Sequence, residues 1–165
     1  RISRLKSVDY LISHQSGSAN KKRPFHEFPD KTLSMKLDIK FAYNLSEFSL
    51  ANRNDKSLQE FKLTKVHAIA GIGHPQRFFN QLEQLGLELI EHPFSDHYQY
   101  KIDDFQFNDE LPVLMTEKDA VKCLSLFNKE TENNLLMRLW VVPVKVEISS
   151  EFIAKLTSQL AKLNS

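Results

Sequence analysis

Apolar and polar residues alternate along two short stretches in the first third of the chain. In the stretch MKLDIKFAY, at residues 35–43, every second residue is apolar, which is typical of a strand with one buried face. The stretch FKLTKV, at residues 61–66, repeats this alternation. We predict that the two stretches pair as an N-terminal antiparallel β-ribbon, joined by the polar residues between them.

From residue 66 onward, continuous apolar runs alternate with helical patterns. The predicted strands are VHAIAG (66–71), LELI (87–90), PVLMT (112–116) and LWVVPVKVEI (139–148). Apolar strands that alternate with helices indicate a mostly parallel sheet covered on both faces. With the right-handed crossover rule, this predicts an α/β fold that is half of a doubly wound, Rossmann-like sheet. Pro143, inside the last run, predicts that this strand lies at the edge of the sheet.

The distribution of glycine marks a boundary near residue 65. Three of the four glycines fall between residues 71 and 86. We therefore predict a lobe-connecting segment at residues 1–65, which contains the ribbon and an exposed polar loop at residues 14–31, and a C-terminal α/β lobe at residues 66–165. A helix is predicted between Pro75, which is tolerated in a first helical turn, and Gly86, which ends the helix.

Composition excludes several classes of function. Apolar residues make up 41% and charged residues 26% of the chain, and the net charge is +1. No strand or helix carries a basic stripe, so we predict no nucleic-acid partner. The single cysteine, Cys123, cannot form an internal disulfide and suits a reducing compartment. No apolar run approaches the roughly 20 residues of a membrane-spanning helix.

The segment AIAGIGHP is the first candidate for chemistry. Gly71 and Gly73 lie between a strand and a helix N-terminus, a position that favours anions, and Glu91 resembles the ribose-binding acid of a dinucleotide site. However, Gln76 replaces the third glycine of the G-x-G-x-x-G fingerprint. Three interpretations stay open: a packing turn, which we favour, a phosphate or substrate contact, and a dinucleotide site.

The segment HPFSDHYQY is the second candidate, because it follows a strand at the same predicted edge. Asp96 and His97 are adjacent in it. An imidazole that titrates near neutral pH can act as an acid or base, and a carboxylate can orient it. Since neighbours in sequence seldom bond each other well, we expect the partner carboxylate to come from elsewhere. The spacing of His92, His97 and Cys123 matches no zinc pattern, and we predict no metal site on protein ligands.

The segment LMTEKDAVKC is the third candidate. Thr116 and Asp119 have the spacing of a capping box at a helix start. Lys118 and Lys122 are four residues apart and would share a helical face, where like charges disfavour the helix. This indicates either an anionic ligand or, as the favoured alternative, a solvated face.

Taken together, the three segments VHAIAGIGHPQRFF, FSDHYQY and PVLMTEKDAVKC resemble the C-terminal half of the tetraacyldisaccharide 4'-kinase family of the lipid A pathway. The segments RLKSVDYLIS and MKLDIKFAYNL extend the resemblance over nearly the whole chain. The resemblance implies transfer of the ATP γ-phosphoryl group to the 4'-hydroxyl of a tetraacylated disaccharide 1-phosphate. It also implies a P-loop kinase that uses Mg²⁺ at the cytoplasmic face of the bacterial inner membrane.

The resemblance implies roles for particular residues. His97 matches the family histidine that pairs with an aspartate of the P-loop half and activates the acceptor hydroxyl. Asp96 matches the residue before it, as an organiser of the loop. We predict that four residues contact substrate or line the cleft: Asp96, Gly71, Gly73 and Lys118.

The sequence departs from the family in lacking a G-x-x-x-x-G-K-[ST] motif. We therefore predict no cofactor-binding residues in this chain: ATP and Mg²⁺ would be bound mainly by an N-terminal half that this sequence does not contain. We expect the chain alone to be inactive, with a lipid disaccharide substrate and membrane-surface contact belonging to the parent protein. The alternatives are an independent Rossmann-like module that binds a nucleotide or sugar phosphate, and a non-catalytic interaction domain.

Overall fold

The computed structural model describes residues 2–14, 32–127 and 133–163. Their contacts divide the chain into two compact units, one formed by the described parts of residues 1–38 and 145–165 and the other by residues 39–144. This division does not fall at residue 65, the boundary that the glycines predict. The predicted exposed loop at residues 14–31 lies, after its first residue, outside the described residues.

The secondary structure of the described residues combines short strands with four α-helices. The strands are β1 (Leu11–His14), β2 (Thr32–Asp38), β3 (Phe41–Asn44), β4 (Lys56–Ser57), β5 (Lys65–Ala70), β6 (Glu88–Pro93), β7 (Val113–Thr116), β8 (Leu139–Val142) and β9 (Lys145–Ile148). The helices are α1 (Pro75–Gln84), α2 (Glu117–Cys123), α3 (Asn133–Arg138) and α4 (Ser150–Leu163). None of these helices is both long enough and apolar enough to cross a membrane.

The first unit contains a three-stranded sheet in the order β1-β2-β9. β2 pairs in parallel with β1 and antiparallel with β9. Helix α4 follows β9, and its Phe152 is buried with its ring edge against Tyr10, at a centroid distance of 5.0 Å. The middle strand of this sheet therefore joins segments from the two ends of the described chain.

The second unit contains a six-stranded sheet in the order β4-β3-β8-β7-β5-β6. Strands β8, β7, β5 and β6 are parallel, whereas β3 pairs antiparallel with β8 and β4. The predicted α/β class with a mostly parallel sheet is therefore confirmed. One face packs on α1 through Phe78, Phe79 and Leu82, and the other packs on α2 and α3. Gly86, at φ +88°, follows the C-cap of α1, as its position in the sequence predicts.

The predicted ribbon is not formed by the described residues. The alternating stretch at 35–43 is divided between β2 in one sheet and β3 in the other, and β3 takes β4 rather than residues 61–66 as its antiparallel partner. Ser57 and Glu60 form a capping box that begins a 3-10 helix at Leu58–Leu63. The alternation at 61–66 is therefore misleading: its first residues belong to a helical turn that buries Phe61, and its last to the start of β5.

The predicted long strand at 139–148 is also divided. Pro143 and Val144 separate β8 from β9, and β8 lies between β3 and β7 rather than at the edge of its sheet. The edge prediction was wrong for β8, because Pro143 follows its last paired residue, where the missing N–H removes no ladder hydrogen bond. It holds for β9, which is an edge strand of the three-stranded sheet.

Candidate active site

The candidate site lies where the loops after β5, β6 and β7 meet at the carboxyl edge of the six-stranded sheet. β6 lies on one side of β5, and the next strand, β7, lies on the other side. The direction in which successive strands are added to the sheet therefore reverses between β5 and β7. In open α/β sheets, ligands bind outside the carboxyl ends of the strands at such a switch point. A backbone hydrogen bond of 2.9 Å from Phe94 to the carbonyl of Ala70 joins the first two loops directly.

His97 projects from the loop after β6 with an unusual backbone. Its φ is +64°, and it is the only non-glycine residue with positive φ in the described part of the chain. Non-glycine residues adopt this left-handed region uncommonly, although histidine does so more often than most, and such conformations persist where the surroundings hold them and cluster at functional sites. The side chain is 83% exposed. The loop therefore presents an imidazole to solvent at the carboxyl edge.

Asp96 holds this loop through both carboxylate oxygens. Its Oδ1 accepts the backbone N–H of His97 at 3.1 Å, and its Oδ2 lies 3.8 Å from the imidazole Nε2. Lys118, on α2, donates to Oδ1 at 3.3 Å. The hydrogen bond from Lys118 is the main cause that lowers the pKa of the Asp96 carboxyl below its usual value, despite partial desolvation. The Asp96 carboxylate lies beside the ring but beyond hydrogen-bond distance of it, so a hydrogen-bonded carboxylate from elsewhere stays a prediction.

Gly71 is enclosed by side chains from two other loops. Its N–H donates to Oδ2 of Asp119 at 3.1 Å, and its carbonyl accepts from Nζ of Lys122 at 2.8 Å. A β-carbon at this position would lie 2.6 Å from the hydroxyl oxygen of Tyr100 and 3.4 Å from the carbonyl oxygen of Ser95. Gly73 is more open, because a β-carbon there would meet only Asp96, at 3.6 Å. The first glycine thus allows close packing, while the second lies beside the Asp96 carboxylate.

These contacts bear on the three interpretations of the glycine turn. The N–H of Gly71 donates to a buried carboxylate, so it is not available to a phosphate. Glu91 accepts hydrogen bonds from Gln76 at 3.2 and 3.4 Å, so the acid that resembles a ribose ligand is engaged by the side chain that replaces the third glycine. The geometry therefore favours the packing turn over a dinucleotide site.

The start of α2 differs from a simple capping box. Thr116 caps the helix by accepting the N–H of Asp119 at 3.2 Å. The carboxylate of Asp119, however, accepts the Thr116 hydroxyl at 2.6 Å and reaches across to Gly71. The two lysines predicted to repel each other are each paired with a carboxylate, Lys118 with Asp96 and Lys122 with Asp119. The local cost of the like charges is thus offset by contacts within the chain.

Aromatic side chains pack against one another within the segment that carries His97. Tyr98 and Tyr100 pack with Phe94 at ring-centroid distances of 4.6 and 5.2 Å. The Tyr98 hydroxyl donates to Asp104 at 3.3 Å. Burial, followed by the nearby negative charge of Asp119, raises the pKa of Tyr100. Both hydroxyls are therefore neutral near pH 7 and serve the packing of the loop.

Two polar groupings were not anticipated from the sequence. At the start of α2, the buried Tyr43 donates to Glu117 at 3.4 Å, and the guanidinium of Arg53 lies 4.0 Å from the centre of the Tyr43 ring. Burial is the main cause that raises the pKa of Tyr43 to about 12, and the Glu117 carboxylate acts in the same direction. No sequence motif marks this grouping, because its members come from three separate segments.

The second grouping joins two histidines to an aspartate. Nδ1 of His67 lies 2.9 Å from Nε2 of His92, and Nε2 of His67 lies 3.1 Å from Asp109. Phe107 stacks on His67 at 3.7 Å, and Arg138 approaches Asp109 at 3.4 Å. His67 is buried. His92 and His97 therefore have different surroundings. Among the described residues, no group of three or more His, Cys, Asp or Glu side chains has the geometry to hold a metal ion.

The fold and the site together define an α/β protein with a candidate ligand edge, formed by loops that carry an exposed histidine, its neighbouring aspartate and a lysine. The sequence profile of one family, described as tetraacyldisaccharide-1-P 4'-kinase (LpxK), matches residues 1–161. Because this match covers nearly the whole chain, the chain belongs to that family.

Curated relatives with the name tetraacyldisaccharide 4'-kinase support this assignment. The protein of Ruthia magnifica is 39% identical over 159 residues, which are 96% of this chain and 43% of the relative. That of Nitrosococcus oceani is 35% identical over 159 residues, or 96% of this chain and 40% of the relative. That of Methylobacillus flagellatus is 48% identical over 107 residues. The chain thus spans less than half the length of these relatives.

A solved structure supports the fold. It is the "apo" form of LpxK from Aquifex aeolicus, crystallised in complex with ATP. The similarity has a TM-score of 0.60 at 22% sequence identity, and it covers 98% of this chain and 44% of the other. At this level of identity the comparison supports the α/β fold of the chain and leaves its chemistry to be argued from the residues.

Proposed function

We propose that this chain is the C-terminal lobe of a lipid A 4'-kinase, which transfers the γ-phosphoryl group of ATP to the 4'-hydroxyl of tetraacyldisaccharide 1-phosphate. The observation that carries the proposal is His97, held in a left-handed conformation by Asp96 and presented at the carboxyl edge of the sheet. We interpret the parallel strands β6-β5-β7-β8 as half of a doubly wound, Rossmann-like sheet. The membership of the chain in the kinase family supports the proposed activity.

Phosphoryl transfer requires a base or orienting group for the attacking hydroxyl, together with neutralisation of charge on the phosphates. The exposed imidazole of His97 can accept the proton of the 4'-hydroxyl. The Asp96 carboxylate, 3.8 Å from Nε2, would then stabilise the imidazolium that forms. Lys118 keeps Asp96 ionised and in place. The space beside this carboxylate is open at Gly73, where even a β-carbon would make only an ordinary contact with Oδ2, at 3.6 Å.

The residues of this chain do not by themselves fit ATP and Mg²⁺. Its sequence has no Walker A motif, and its described residues provide no cluster of metal ligands. We therefore assign nucleotide and metal binding to the remainder of the longer protein, and propose that the chain alone is inactive. We further propose that the complete enzyme acts on its lipid acceptor at the cytoplasmic face of the bacterial inner membrane, with membrane contact made mainly outside this chain.

The experiment is an assay of the complete protein that carries this sequence, with ATP, Mg²⁺ and the tetraacyldisaccharide 1-phosphate. His97→Ala should lower kcat by about 10²–10⁴-fold, the range for loss of a general base, and His97→Gln should not restore it. The matched control is His92→Gln. His92 lies near the end of β6, and its side chain contacts the buried His67. The 165-residue chain alone should give no turnover.

Two results would contradict the proposal. Turnover by the isolated chain would show that it holds a complete site, and an unchanged kcat in His97→Ala would remove the histidine from the chemistry. The alternative of an independent nucleotide or sugar-phosphate module has less support, because the Gly71 N–H and the Glu91 carboxylate are both engaged within the chain. Binding of ATP or a sugar phosphate to the isolated chain would favour that alternative.

A further inference from the structure

We infer that Asp119 is a positioning residue for the proposed reaction: with Lys122 it clamps the backbone of Gly71, and through Gly71 it fixes the loop that carries His97. This inference rests on the proposed function for its kinetic consequence. Its geometric part concerns only residues of the second unit. Asp119 lies 48 positions beyond Gly71 in the sequence, so local structure does not require their contact.

The clamp takes hold of both backbone groups of one residue. Asp119 accepts the Gly71 N–H through Oδ2, and Lys122 donates to the Gly71 carbonyl. The two side chains also pair with each other, Nζ to Oδ1, at 3.1 Å. The Asp119 side chain is fully buried and that of Lys122 is 19% exposed. The N–H and the carbonyl of Gly71 belong to the peptide groups on either side of its Cα, so the backbone cannot rotate about this residue without breaking one of these bonds.

Direct packing couples the position of Gly71 to the position of the loop that carries His97. The hydroxyl of Tyr100 lies close enough to Gly71 to exclude a β-carbon there, and the carbonyl of Ser95 would be in ordinary contact with such a β-carbon, at 3.4 Å. These two contacts bracket the pair Asp96 and His97 along the chain. A third connection runs through α2, because Lys118, the residue before Asp119, reaches Asp96. A shift of Gly71 or of the first turn of α2 therefore moves the histidine.

The ionic character of the clamp is itself informative. A buried ion pair is often replaceable by apolar residues at no loss of stability, and its value for stability is therefore a weak explanation for its presence. Removing one partner, by contrast, leaves an uncompensated charge. The carboxylate of Asp119 takes hydrogen bonds from Gly71, Thr116 and Lys122, so its two oxygens connect the loops after β5 and β7. An arrangement with so many directional contacts fixes geometry.

The kinetic test compares Asp119→Asn with Asp109→Asn in the complete protein. Both changes remove a carboxylate from an ion-paired grouping, but Asp109 contacts His67 and Arg138 and none of the loops at the carboxyl edge. Asp119→Asn should lower kcat by about 10–100-fold with little change in KM for ATP, as expected when a reacting group is misplaced by a fraction of an ångström. Asp109→Asn should lower the melting temperature while leaving kcat within about twofold.

A second readout does not depend on turnover. In the complete protein labelled with ¹⁵N-glycine and ¹⁵N-histidine, Asp119→Asn should reduce the hydrogen-exchange protection of the Gly71 amide and move the His97 amide signal. Asp109→Asn should move neither. If Asp119→Asn does not fold, Lys122→Met tests the other side of the clamp by the same measurements, since it releases the Gly71 carbonyl.

The outcomes separate the inference from the proposed function. If the wild-type protein does not phosphorylate the disaccharide, the proposed function fails, and the NMR measurement still decides whether Asp119 positions His97. If the wild type is active, and Asp119→Asn changes neither kcat nor the His97 signal, the inference fails by itself. A loss of melting temperature with both readouts unchanged would likewise overturn it, because that is the result of a purely structural role.

Discussion

The hydroxyl oxygen of Tyr100 lies 2.6 Å from the point that a β-carbon on Gly71 would occupy. This hydroxyl is buried and makes no hydrogen bond of good geometry within the described structure, although the Asp119 carboxylate lies near enough to raise its pKa. The φ angle of Gly71 is not in the left-handed region, so its backbone conformation does not demand glycine. The requirement for glycine at position 71 is one of space, set by a side chain 29 residues further along the chain.

Gly71→Ala should therefore be destabilising, and Tyr100→Phe should partly rescue it. Overpacking of this kind costs about 1–3 kcal/mol. Removing an unpartnered buried hydroxyl should leave stability unchanged or raise it slightly. The double variant should not regain full stability, because Oδ1 of Asp119 would still lie 3.2 Å from the new β-carbon.

The measurement is a double-mutant cycle by urea unfolding. Equal losses for Gly71→Ala in the tyrosine and phenylalanine backgrounds would contradict the steric explanation. Gly73→Ala is the matched control, because its β-carbon would meet only the Asp96 carboxylate at an ordinary contact distance of 3.6 Å.

The backbone of His97 predicts an order of stability among substitutions there. At a φ of +64°, Asn is tolerated, whereas a β-branched residue is strained. We expect His97→Val to lose about 1–2 kcal/mol of unfolding free energy, the usual cost of the left-handed region, and His97→Asn to lose much less. Both variants should be inactive as kinases, so stability and activity separate. Equal stability of the two would show that the loop relaxes out of the left-handed region.

The grouping of His67, His92 and Asp109 predicts a loss of stability in mild acid. Burial, followed by the proximity of His67, lowers the pKa of His92, and Asp109 opposes this shift. Because the folded state then binds a proton less readily than the unfolded state, stability falls as the pH decreases through the ordinary histidine range near 6.5 toward the lower folded value. The groups that face His92 are the other two members of the grouping and, beyond Asp109, Arg138.

The check on this pH dependence is urea unfolding of wild type and His92→Gln at about pH 7.5 and about pH 5.5, on either side of the usual histidine pKa. The wild type should lose more unfolding free energy on acidification than the variant. Identical losses would show that His92 titrates normally in the folded protein. His97→Gln is the control histidine, since its ring is mostly exposed.

Cys123 should be unreactive in the folded protein. Its side chain is fully buried, and burial, followed by the charge of Asp119, raises the pKa of its thiol to about 12. Since the thiolate is the reactive species, a thiol reagent at about pH 8, close to the pKa of a free cysteine, should label the chain only as fast as it unfolds. Labelling within seconds under native conditions would contradict this, and Cys123→Ala provides the unlabelled control.

The meeting of the candidate residues could be predicted from the sequence, because it depends on a general property of parallel sheets. Gly71, His97 and Lys118 each follow a strand, and the carboxyl ends of parallel strands lie at one edge. The sequence could not show that Asp119 leaves its capping role and reaches Gly71. The capping motif already accounts for an aspartate at position 119, so nothing else in the sequence indicated its contact with Gly71.

The other differences between prediction and structure arise where one sequence pattern is compatible with two structures. Residues 61–66 alternate like a strand, but the Ser57 capping box makes their first half a helical turn. The contact of His67 with His92 depends on the register between β5 and β6, in which Ile69, rather than His67, is directly opposite His92. Two histidines on neighbouring parallel strands are a weak signal, and only the side-chain directions on one face join them to Asp109.

Pro143 and Val144 have a consequence for how the protein is made. They separate β8 from β9, so residues 39–144 interrupt the first unit between β2 and β9. On the ribosome, the whole of the second unit emerges before β9 exists to pair with β2. The second unit can therefore complete its sheet while the first still lacks one of its strands. β2 is synthesised before the second unit but acquires β9 as its neighbour only after it, and a premature stop after Val144 would leave one sheet whole and the other open along β2.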